Sequence, residues 1–452
     1  DDARSMPDAG SMPDAGSMLD GVPIAVKDNF CVRGAPTTAG SRMLRGYEPP
    51  LESTVTRRLR AAGAVIVGKC NMDEFGMGSA NVNSASGACI NPWVARPARR
   101  EPGPDGPVDD HRLGPRTAGG SSGGSACAVA SGAAILAVGS DTGGSVRLPA
   151  AYCGVVGMKP SYGSVSRWGL VPYCSSLDTP GFLARSVSDA AVAMHVTHGL
   201  DPLDSTTTRV GMPLAGWRVG VPVEYDVAEC TAEVRAAWSE TCSLLERLGA
   251  AVTRVSLPST AAALAAYYVL APAECASNLA RYDGGVFVPS GKDGGFHEST
   301  ARARSHGFGP EVQRRVLVGT YVLGTDVTAR YLDRARRVRR VVAADGHARG
   351  VSHTGVDLLL TPTAPTVAPL LYGPGGVGEG GGFDHQSGMD DSATAGYAAD
   401  AMTVPASLAG LPAISLPVGL GFESGMPVGM QLIAPRGCDV ELIGAAWHVE
   451  RA

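Results

Sequence analysis

The sequence predicts an α/β protein in which a mixed or parallel sheet is wrapped by helices. Two observations support this prediction: a strand–helix–strand order near the start of the chain, and an alternation of strands and helices after Pro180. Such alternation is typical of sheets whose strands are connected through helices. The 452 residues, 44% of them hydrophobic, are enough for one large domain with a substantial core.

The strand–helix–strand unit lies in the first 70 residues. Val22–Val26 is an apolar run that predicts a strand ending at Lys27, and Ala64–Gly68 predicts a second buried strand. Between them, Thr54–Ala62 has the apolar spacing of a helix with arginines on its outer face. A β-α-β unit follows from this order.

Three segments differ in composition from the rest. Residues 1–20 repeat the hexapeptide SMPDAG and are predicted to be low-complexity sequence without a fold, so the domain is assigned to residues 21–452. Residues 90–116 are rich in Pro, Arg and Asp, and residues 373–392 begin with a glycine-rich run. Both are predicted to be surface insertions because they lack apolar periodicity.

The remaining elements follow from apolar runs and helical spacing. Gly124–Ser131 predicts a helix of small residues, and Ala133–Gly139 predicts a buried strand that leads into a turn at Ser140–Ser145. Later elements are predicted as helices at 187–195, 232–248 and, in a strongly basic stretch, 311–348, and as strands at 218–221, 251–255, 356–360, 413–418 and 428–433.

Charge and cysteine content exclude several classes of protein. The formal net charge of −5 does not favour direct binding to nucleic acid or to an anionic membrane. The longest mostly apolar stretch, Ala126–Gly139, is too short to span a bilayer. The ten cysteines contain no C-x-x-C pair, and no His or Cys spacing predicts a metal site.

Three familiar motifs occur in the wrong context. Gly63–Lys69 matches a phosphate-binding loop, but its interior is an apolar strand; Gly373–Gly378 matches a dinucleotide motif, but no helix follows. Gly119–Gly123 matches the G-x-S-x-G nucleophile turn, but the residues before it do not form a strand. No histidine lies between Arg112 and Met194, although folding could bring a distant one to that serine.

Two glycine- and serine-rich segments lie close together in the sequence. They are TAGGSSGGSA at Thr117–Ala126 and DTGGSVRLPA at Asp141–Ala150, and they place Ser121 and Ser145 24 residues apart. Each segment alone is equally well explained as an ordinary glycine turn. Glycines beside a serine also allow backbone N–H groups to converge on one point, which an oxyanion hole requires. The two segments together, preceded by VKDN, favour an oxyanion hole over two ordinary turns.

These segments, together with GVPIAVKDNF at Gly21–Phe30, resemble the amidase signature family. The resemblance implies a central, mixed and mostly parallel sheet covered by helices on both faces. It also implies a catalytic triad of Lys27, Ser121 and Ser145. In this scheme a buried, neutral Lys27 draws a proton through Ser121 while Ser145 attacks a carboxamide. Backbone N–H groups of residues 142–145 (Thr142, Gly143, Gly144 and Ser145) are expected to hold the oxyanion.

Further motifs resemble one branch of that family, the glutaminase subunits of amidotransferases that act on Glu-tRNA(Gln). NMDEFGMGSAN at Asn71–Asn81 and the tail from Tyr397 to Gly419 carry this resemblance. It implies that Asp400 and Arg339 bind the α-ammonium and α-carboxylate of glutamine, with Arg337 or Arg340 as alternatives to Arg339. Met77 is a further candidate for a substrate contact.

The branch also implies partners, the B and C subunits of a heterotrimer. Ammonia passes to the kinase-like B subunit, which uses ATP and Mg²⁺ on Glu-tRNA(Gln), and the small C subunit completes the assembly; no cofactor is expected in this chain. The low-complexity inserts favour an organelle such as the mitochondrion, with the cytoplasm expected for a bacterial protein. A stand-alone amidase and a non-catalytic scaffold that retains the fold are the alternatives.

Overall fold

The computed structural model describes residues 18–93, 114–207, 217–287, 295–347, 355–371 and 398–452. The predicted insertion at 373–392 lies outside these residues, as do residues 1–17 and most of the insertion at 90–116. Leu19 is buried in the main core, and its backbone N–H donates to Ala62 O at 3.1 Å. The packed domain therefore includes Leu19, two residues before the predicted boundary.

Ten strands and twelve α-helices occur in the described residues. The strands are β1 Pro23–Lys27, β2 Val65–Cys70, β3 Leu136–Asp141, β4 Val156–Lys159, β5 Thr179–Ala184, β6 Arg218–Pro222, β7 Ala251–Val255, β8 Leu358–Pro362, β9 Ala413–Leu420 and β10 Pro427–Ile433. The helices are α1 Thr54–Ala61, α2 Gly123–Ala130, α3 Arg147–Cys153, α4 Val187–Thr197, α5 Ala232–Arg247, α6 Thr260–Asn278, α7 Phe296–Gly307, α8 Pro310–Val322, α9 Thr325–Thr328, α10 Leu332–His347, α11 Val404–Ala409 and α12 Asp439–Arg451.

Local sequence explains where several helices begin. The hydroxyl of Ser53 accepts the N–H of Thr56 at the start of α1, and Ser186 caps α4 in the same way. A serine at this position satisfies an N–H group that has no partner within the helix. Pro310 occupies the first turn of α8, where its missing N–H costs nothing.

The strands form a single mixed sheet in the order β2-β1-β3-β5-β4-β9-β10-β8-β6-β7. The pairs β2–β1 and β1–β3 at one end, and β8–β6 and β6–β7 at the other, are parallel. The strands between these ends pair antiparallel, from β3–β5 through β10–β8. The predicted mixed sheet is confirmed, and its parallel pairing is confined to the two ends.

Helices cover both faces of the sheet. On one face, Ile24 and Val26 of β1 pack in a core with apolar residues of α1, α4, α5 and α12. On the other face, Ala25 of β1 and Ala137 of β3 pack against α2 and α3. Successive side chains of a strand point to opposite faces, so Lys27 falls on the side of Ala25, facing α2.

A second core lies among helices outside the sheet. Helices α6, α8, α10 and α11 contribute its buried residues, together with Phe75, Met77 and Tyr173. Helix α6 packs mainly against α8 and α10. The basic stretch predicted as one helix at 311–348 belongs to this helical layer, where the structure resolves it into α8, α9 and α10.

The predicted β-α-β unit is confirmed by β1, α1 and β2, and β2 occupies the segment that matches a phosphate-binding loop. Strands β4 and β5 and helix α6 are not predicted from the sequence. Strands β4 and β5 consist of short apolar runs interrupted by Gly and Pro, and α6 contains Pro272 in its interior. These residues weaken the local signals for strand and helix, and burial stabilises the elements instead.

Candidate active site

The site lies where two parallel strands end. Strands β1 and β3 are neighbours, with Ile24 opposite Leu136 and Val26 opposite Val138. Because their carboxyl ends meet at one edge of the sheet, Lys27 and Ser140 come together there. The segment Ser121–Ser122 reaches the same edge as it enters α2, which begins at Gly123. Three segments that are distant in sequence therefore converge on one amine.

Lys27 is surrounded by hydroxyl groups. Its Nζ lies 2.8 Å from Ser121 Oγ, 2.8 Å from Ser122 Oγ and 3.0 Å from Ser140 Oγ. It also lies 3.3 Å from Ser140 O, and its side chain is fully buried. The Gly120–Ser121 peptide bond is cis. The predicted contact between Lys27 and Ser121 is present in the structure.

Burial sets the charge state of this amine. Removal from water lowers the pKa of Lys27 from its ordinary value to about 7, because a low-dielectric environment disfavours the ammonium form. The negative charges of Asp73, Asp141 and Asp178 oppose this shift. A substantial neutral fraction near pH 7 follows, which allows the amine to accept a proton.

Ser145 lies just before α3, beside Ser122, one of the serines that contact Lys27. Lys27 and the serines Ser121, Ser122 and Ser140 are called the relay below. The backbone N–H of Ser122 donates to Ser145 O at 3.1 Å, and Ser145 is only 9% exposed. In the part of the chain that the structure describes, the backbone N–H groups of residues 142–145 donate no hydrogen bond, although these residues are buried. Buried N–H groups are nearly always paired, so this run of donors is suited to an oxygen of a ligand.

A buried ion pair closes the loop that carries these donors. Arg147 contacts both carboxylate oxygens of Asp141 at 3.1 Å, and Asp141 also accepts the N–H of Val146 at 3.2 Å. Burial opposes ionisation of Asp141, but Arg147 outweighs it and holds the pKa of that carboxyl below its usual value. Residues 141–147 are therefore tied end to end, and Thr142 Oγ1 adds a 2.8 Å bond to Asp178.

Asp400 is buried in a 3-10 turn just before α11. Its carboxylate accepts hydrogen bonds from Ser79 Oγ at 2.8 Å and from the Tyr268 hydroxyl at 3.0 Å. Burial raises the pKa of Asp400 to about 6, against these two hydrogen bonds and the charge of Arg315. A bound ammonium group would add a positive charge in direct contact with this carboxylate and offset the cost of its burial.

The guanidinium of Arg339 donates hydrogen bonds to Leu408 and Ser176. Its Nε donates to Leu408 O at 3.0 Å, while Nη1 and Nη2 donate to Oγ and O of Ser176 at 2.7 and 2.8 Å. Arg337 and Arg340, the alternatives, lie on the same helix, α10. These contacts indicate that Arg339 anchors α10 to the segment around Ser176.

Arg315 of α8 lies over the ring of Tyr268, the tyrosine that contacts Asp400. It is buried, and its guanidinium carbon lies 5.4 Å from the centre of the Tyr268 ring, whose hydroxyl donates to Asp400. Its Nη1 donates to the Tyr173 hydroxyl at 2.6 Å, and its Nε to Glu311 at 2.7 Å. Arg315 is not among the residues predicted from sequence, although the GFGPEVQRRVLVG motif that contains it is a recognisable signal.

Met77 is fully buried in the helical core. The thiol of Cys275 lies 3.6 Å from its sulfur. Its neighbour Gly76 borders the relay, because a side-chain carbon built at Gly76 would lie 3.7 Å from Ser121 Oγ. Met77 therefore lies next to the segment that borders Ser121.

Ser122 and Ser140 contact Lys27 but were not predicted as site residues from the sequence. For Ser122, its position next to Ser121 in GGSSGG was the available signal.

A mixed α/β fold in which a buried lysine contacts serine hydroxyls beside unpaired backbone N–H groups defines a class of protein: an acyl-transfer enzyme of the serine–lysine type. Among the described residues, no group of three or more His, Cys, Asp or Glu side chains is arranged to hold a metal ion. Within those same residues, no helix is both long and apolar enough to cross a membrane.

Comparison with known proteins identifies the family. The Amidase family model matches residues 1–443. The A subunit of glutamyl-tRNA(Gln) amidotransferase from Cereibacter sphaeroides is 44% identical over 446 residues, which cover 96% of this chain and 84% of the relative. That of Moorella thermoacetica is 45% identical over 446 residues, covering 96% of this chain and 83% of the relative. The chain therefore belongs to the amidase family.

A solved structure agrees with this kinship. The crystal structure of the glutamyl-tRNA(Gln) amidotransferase A subunit from Thermotoga maritima is 37% identical and superposes with a TM-score of 0.71, covering 94% of this chain and 82% of that one. The substrate complex of 6-aminohexanoate cyclic dimer hydrolase gives a TM-score of 0.76 at 27% identity, covering 97% and 86%. The predicted fold class and family resemblance are confirmed.

Proposed function

We propose that this chain is the glutamine-hydrolysing subunit of a Glu-tRNA(Gln) amidotransferase. The observation that carries the chemistry is the buried amine of Lys27, which lies 2.8 Å from Ser121 Oγ. The similarity to amidotransferase A subunits over 96% of the chain supports the choice of glutamine as the amide.

The proposed reaction begins with neutral Lys27. As Ser145 Oγ bonds to the carboxamide carbon of glutamine, its proton moves to Ser121 Oγ, and the proton of Ser121 moves to Lys27 Nζ. The negative charge on the former carbonyl oxygen is held by the N–H groups of residues 142–145. The C–N bond then breaks as Ser121 gives its proton to the leaving nitrogen, which departs as ammonia, and Lys27 returns its extra proton to Ser121. Water attacks the acyl-enzyme by the same relay and releases glutamate.

Substrate recognition is assigned to two buried groups on either side of Tyr268. Asp400 is proposed to bind the α-ammonium, which neutralises a carboxylate held by Ser79 and Tyr268. Arg315 is proposed to bind the α-carboxylate, because a guanidinium can donate two parallel hydrogen bonds to it. Arg339, the residue predicted from the sequence, donates to Ser176 and Leu408 and stays the alternative for this role.

The ammonia is proposed to serve a partner in a heterotrimer. That assembly would contain a kinase-like B subunit, which binds ATP, Mg²⁺ and Glu-tRNA(Gln), and a small C subunit. The relatives named above carry the amidotransferase designation, which supports such an assembly. The organelle location stays a prediction, since these relatives come from bacteria.

Replacement of the nucleophile tests this proposal. Ser145→Ala removes the oxygen proposed to form the acyl-enzyme, so ammonia release from glutamine should fall by about 10³-fold or more. The measurement compares this chain alone with the chain reconstituted with its partners. Ser164→Ala is a matched control, because Ser164 is also buried but donates only to Ser161 O at 2.8 Å.

In the control, activity should stay within about twofold of the wild type, since Ser164 contacts no group of the relay. Near-full activity in Ser145→Ala would contradict the assignment of the nucleophile. A wild-type complex that hydrolyses simple amides but not glutamine would instead support a stand-alone amidase.

A further inference from the structure

The loop at residues 141–147 carries the proposed oxyanion donors, and one of its peptide groups is anchored by a side chain outside the loop. The carbonyl oxygen of Gly143 accepts a hydrogen bond from Thr403 Oγ1 at 2.6 Å, and Thr403 is fully buried. A trans peptide unit is planar, and its C=O and N–H groups point in opposite directions. Anchoring the oxygen of Gly143 on Thr403 therefore turns the N–H of Gly144 away from Thr403, toward the opposite side of the loop.

Steric contacts keep this peptide in place. A side-chain carbon at Gly143 would lie 2.8 Å from the ring of Tyr267, and one at Gly144 would overlap the hydroxyl of Thr403. Gly144 also has a φ of 147°, which side chains rarely tolerate. The loop thus passes through a narrow gap between Tyr267 and Thr403. Only glycine fits at these two positions.

Thr403 is itself held by the elements around it. Its N–H donates to Asp400 O at 3.1 Å, and its carbonyl accepts Nη1 of Arg147 at 3.0 Å. Its hydroxyl also lies 3.2 Å from Asp400 O. The shorter contact, with Gly143 O, identifies the carbonyl that accepts the hydrogen bond. The hydroxyl therefore joins the turn that carries Asp400 to the loop that carries Ser145.

We propose that Thr403 is a positioning residue that aims the Gly144 N–H at the oxyanion formed during hydrolysis. It contacts the back of the loop and acts through the Gly143–Gly144 peptide. Its hydroxyl should therefore matter for the transition state more than for the binding of substrate. This inference rests on the proposed glutaminase function.

The test compares two substitutions in the reconstituted complex. Thr403→Val keeps the shape of the side chain but removes the hydroxyl, and Thr403→Ser keeps the hydroxyl. Deletion of one oxyanion donor costs about 10²- to 10³-fold in kcat, so a misdirected donor should cost roughly 10- to 100-fold. We expect Thr403→Val to lose this much kcat with KM for glutamine changed less than about threefold, and Thr403→Ser to stay within about threefold of the wild type.

Thr197→Val is the matched control. Thr197 is also fully buried and donates to a backbone carbonyl, that of Ala193, at 2.6 Å, but it lies on α4 away from the loop. Its loss should change stability to a similar degree while leaving kcat unchanged. Melting temperatures of all three variants show whether the fold is kept.

Three results would overturn the inference. They are wild-type kcat in Thr403→Val, a rise in KM with kcat preserved, or a loss of kcat in Thr403→Ser as large as in Thr403→Val. Failure of the proposed function would look different, because the wild-type complex would then release no ammonia from glutamine in the first place.

Discussion

Two lysines in this protein are buried to the same degree but lie in different surroundings. Lys27 at the end of β1 and Lys159 at the end of β4 are both almost completely inaccessible to solvent. Burial lowers the pKa of each to about 7, and in Lys159 the charge of Arg147 adds to the effect. Yet Lys27 contacts three serine hydroxyls, whereas Lys159 donates to the carbonyl of Pro160 at 2.8 Å.

The difference shows that a low pKa does not by itself make a base. Burial makes either amine able to accept a proton at neutral pH. Lys27, unlike Lys159, contacts a hydroxyl suited to deliver a proton from a nucleophile, because it contacts Ser121, whose chain neighbour Ser122 is hydrogen-bonded to Ser145. The neighbours of the amine decide whether its protonation equilibrium can be used in catalysis.

Substitution of the two lysines in turn should give the greatest difference in activity. Lys27→Met and Lys159→Met both replace a buried amine by an apolar side chain of similar length. General-base removal costs about 10²- to 10⁴-fold, so glutamine hydrolysis should fall by about 10³-fold in Lys27→Met. Lys159→Met should retain activity within about threefold, because it removes no hydroxyl contact of the relay. Steady-state ammonia release from the reconstituted complex measures both.

Equal losses in the two variants would contradict the role of Lys27 and would indicate that both lysines serve the fold. Circular dichroism and thermal unfolding of each variant separate the two explanations, since a folded but inactive Lys27→Met supports a chemical role.

A second prediction extends the contrast to two arginines of the helical layer. Arg315 lies over the ring of Tyr268, and Arg339 contacts Ser176. Loss of a bidentate hydrogen-bonded contact with a carboxylate costs about 1.5–3 kcal/mol of binding free energy, which lowers affinity roughly 10- to 100-fold. Arg315→Lys should raise KM for glutamine by that factor, while Arg339→Lys should leave it within about threefold.

Kinetics with glutamine concentrations above and below KM decide between the arginines. A raised KM in Arg339→Lys with a normal KM in Arg315→Lys would restore the assignment made from sequence. Both variants keep the positive charge, so a difference between them reports the geometry of the guanidinium.

The smallest expected effect concerns pH. Lys27 must be neutral to accept a proton, and its pKa is lowered to about 7. Activity should therefore rise with pH and level off above about pH 8, and kcat/KM at pH 6 should be about tenfold below the plateau. Asp73 exerts the strongest of the charge effects that oppose this lowering, although burial raises its own pKa to about 7, so Asp73→Asn should move the rise by a small amount to lower pH.

The pH profile of Lys159→Met provides the control. It should show the same rise as the wild type, because Lys159 takes no part in the relay. A rise that disappears in Lys159→Met, or moves to higher pH in Asp73→Asn, would show that another group controls the profile.

Much of the active site was predictable because its parts are local. The glycines beside Ser121 and Ser145, and the strand before Lys27, lie within a few residues of the groups they serve. The β-α-β unit is also local, since apolar runs and turn residues specify it without reference to the rest of the chain. In the antiparallel centre of the sheet, the pairing of β4 with β9 was not predicted, because it joins segments far apart in sequence.

The sequence alone determined which residue types the site contains: one lysine, two serines and a run of glycines at the spacing of a known family. The tertiary structure decided what those residues can do. The lowered pKa of Lys27, the different surroundings of Arg315 and Arg339, and the contact of Thr403 with Gly143 all depend on distant segments packed together. Burial and contact distance are properties of the assembled chain, and no local pattern encodes them.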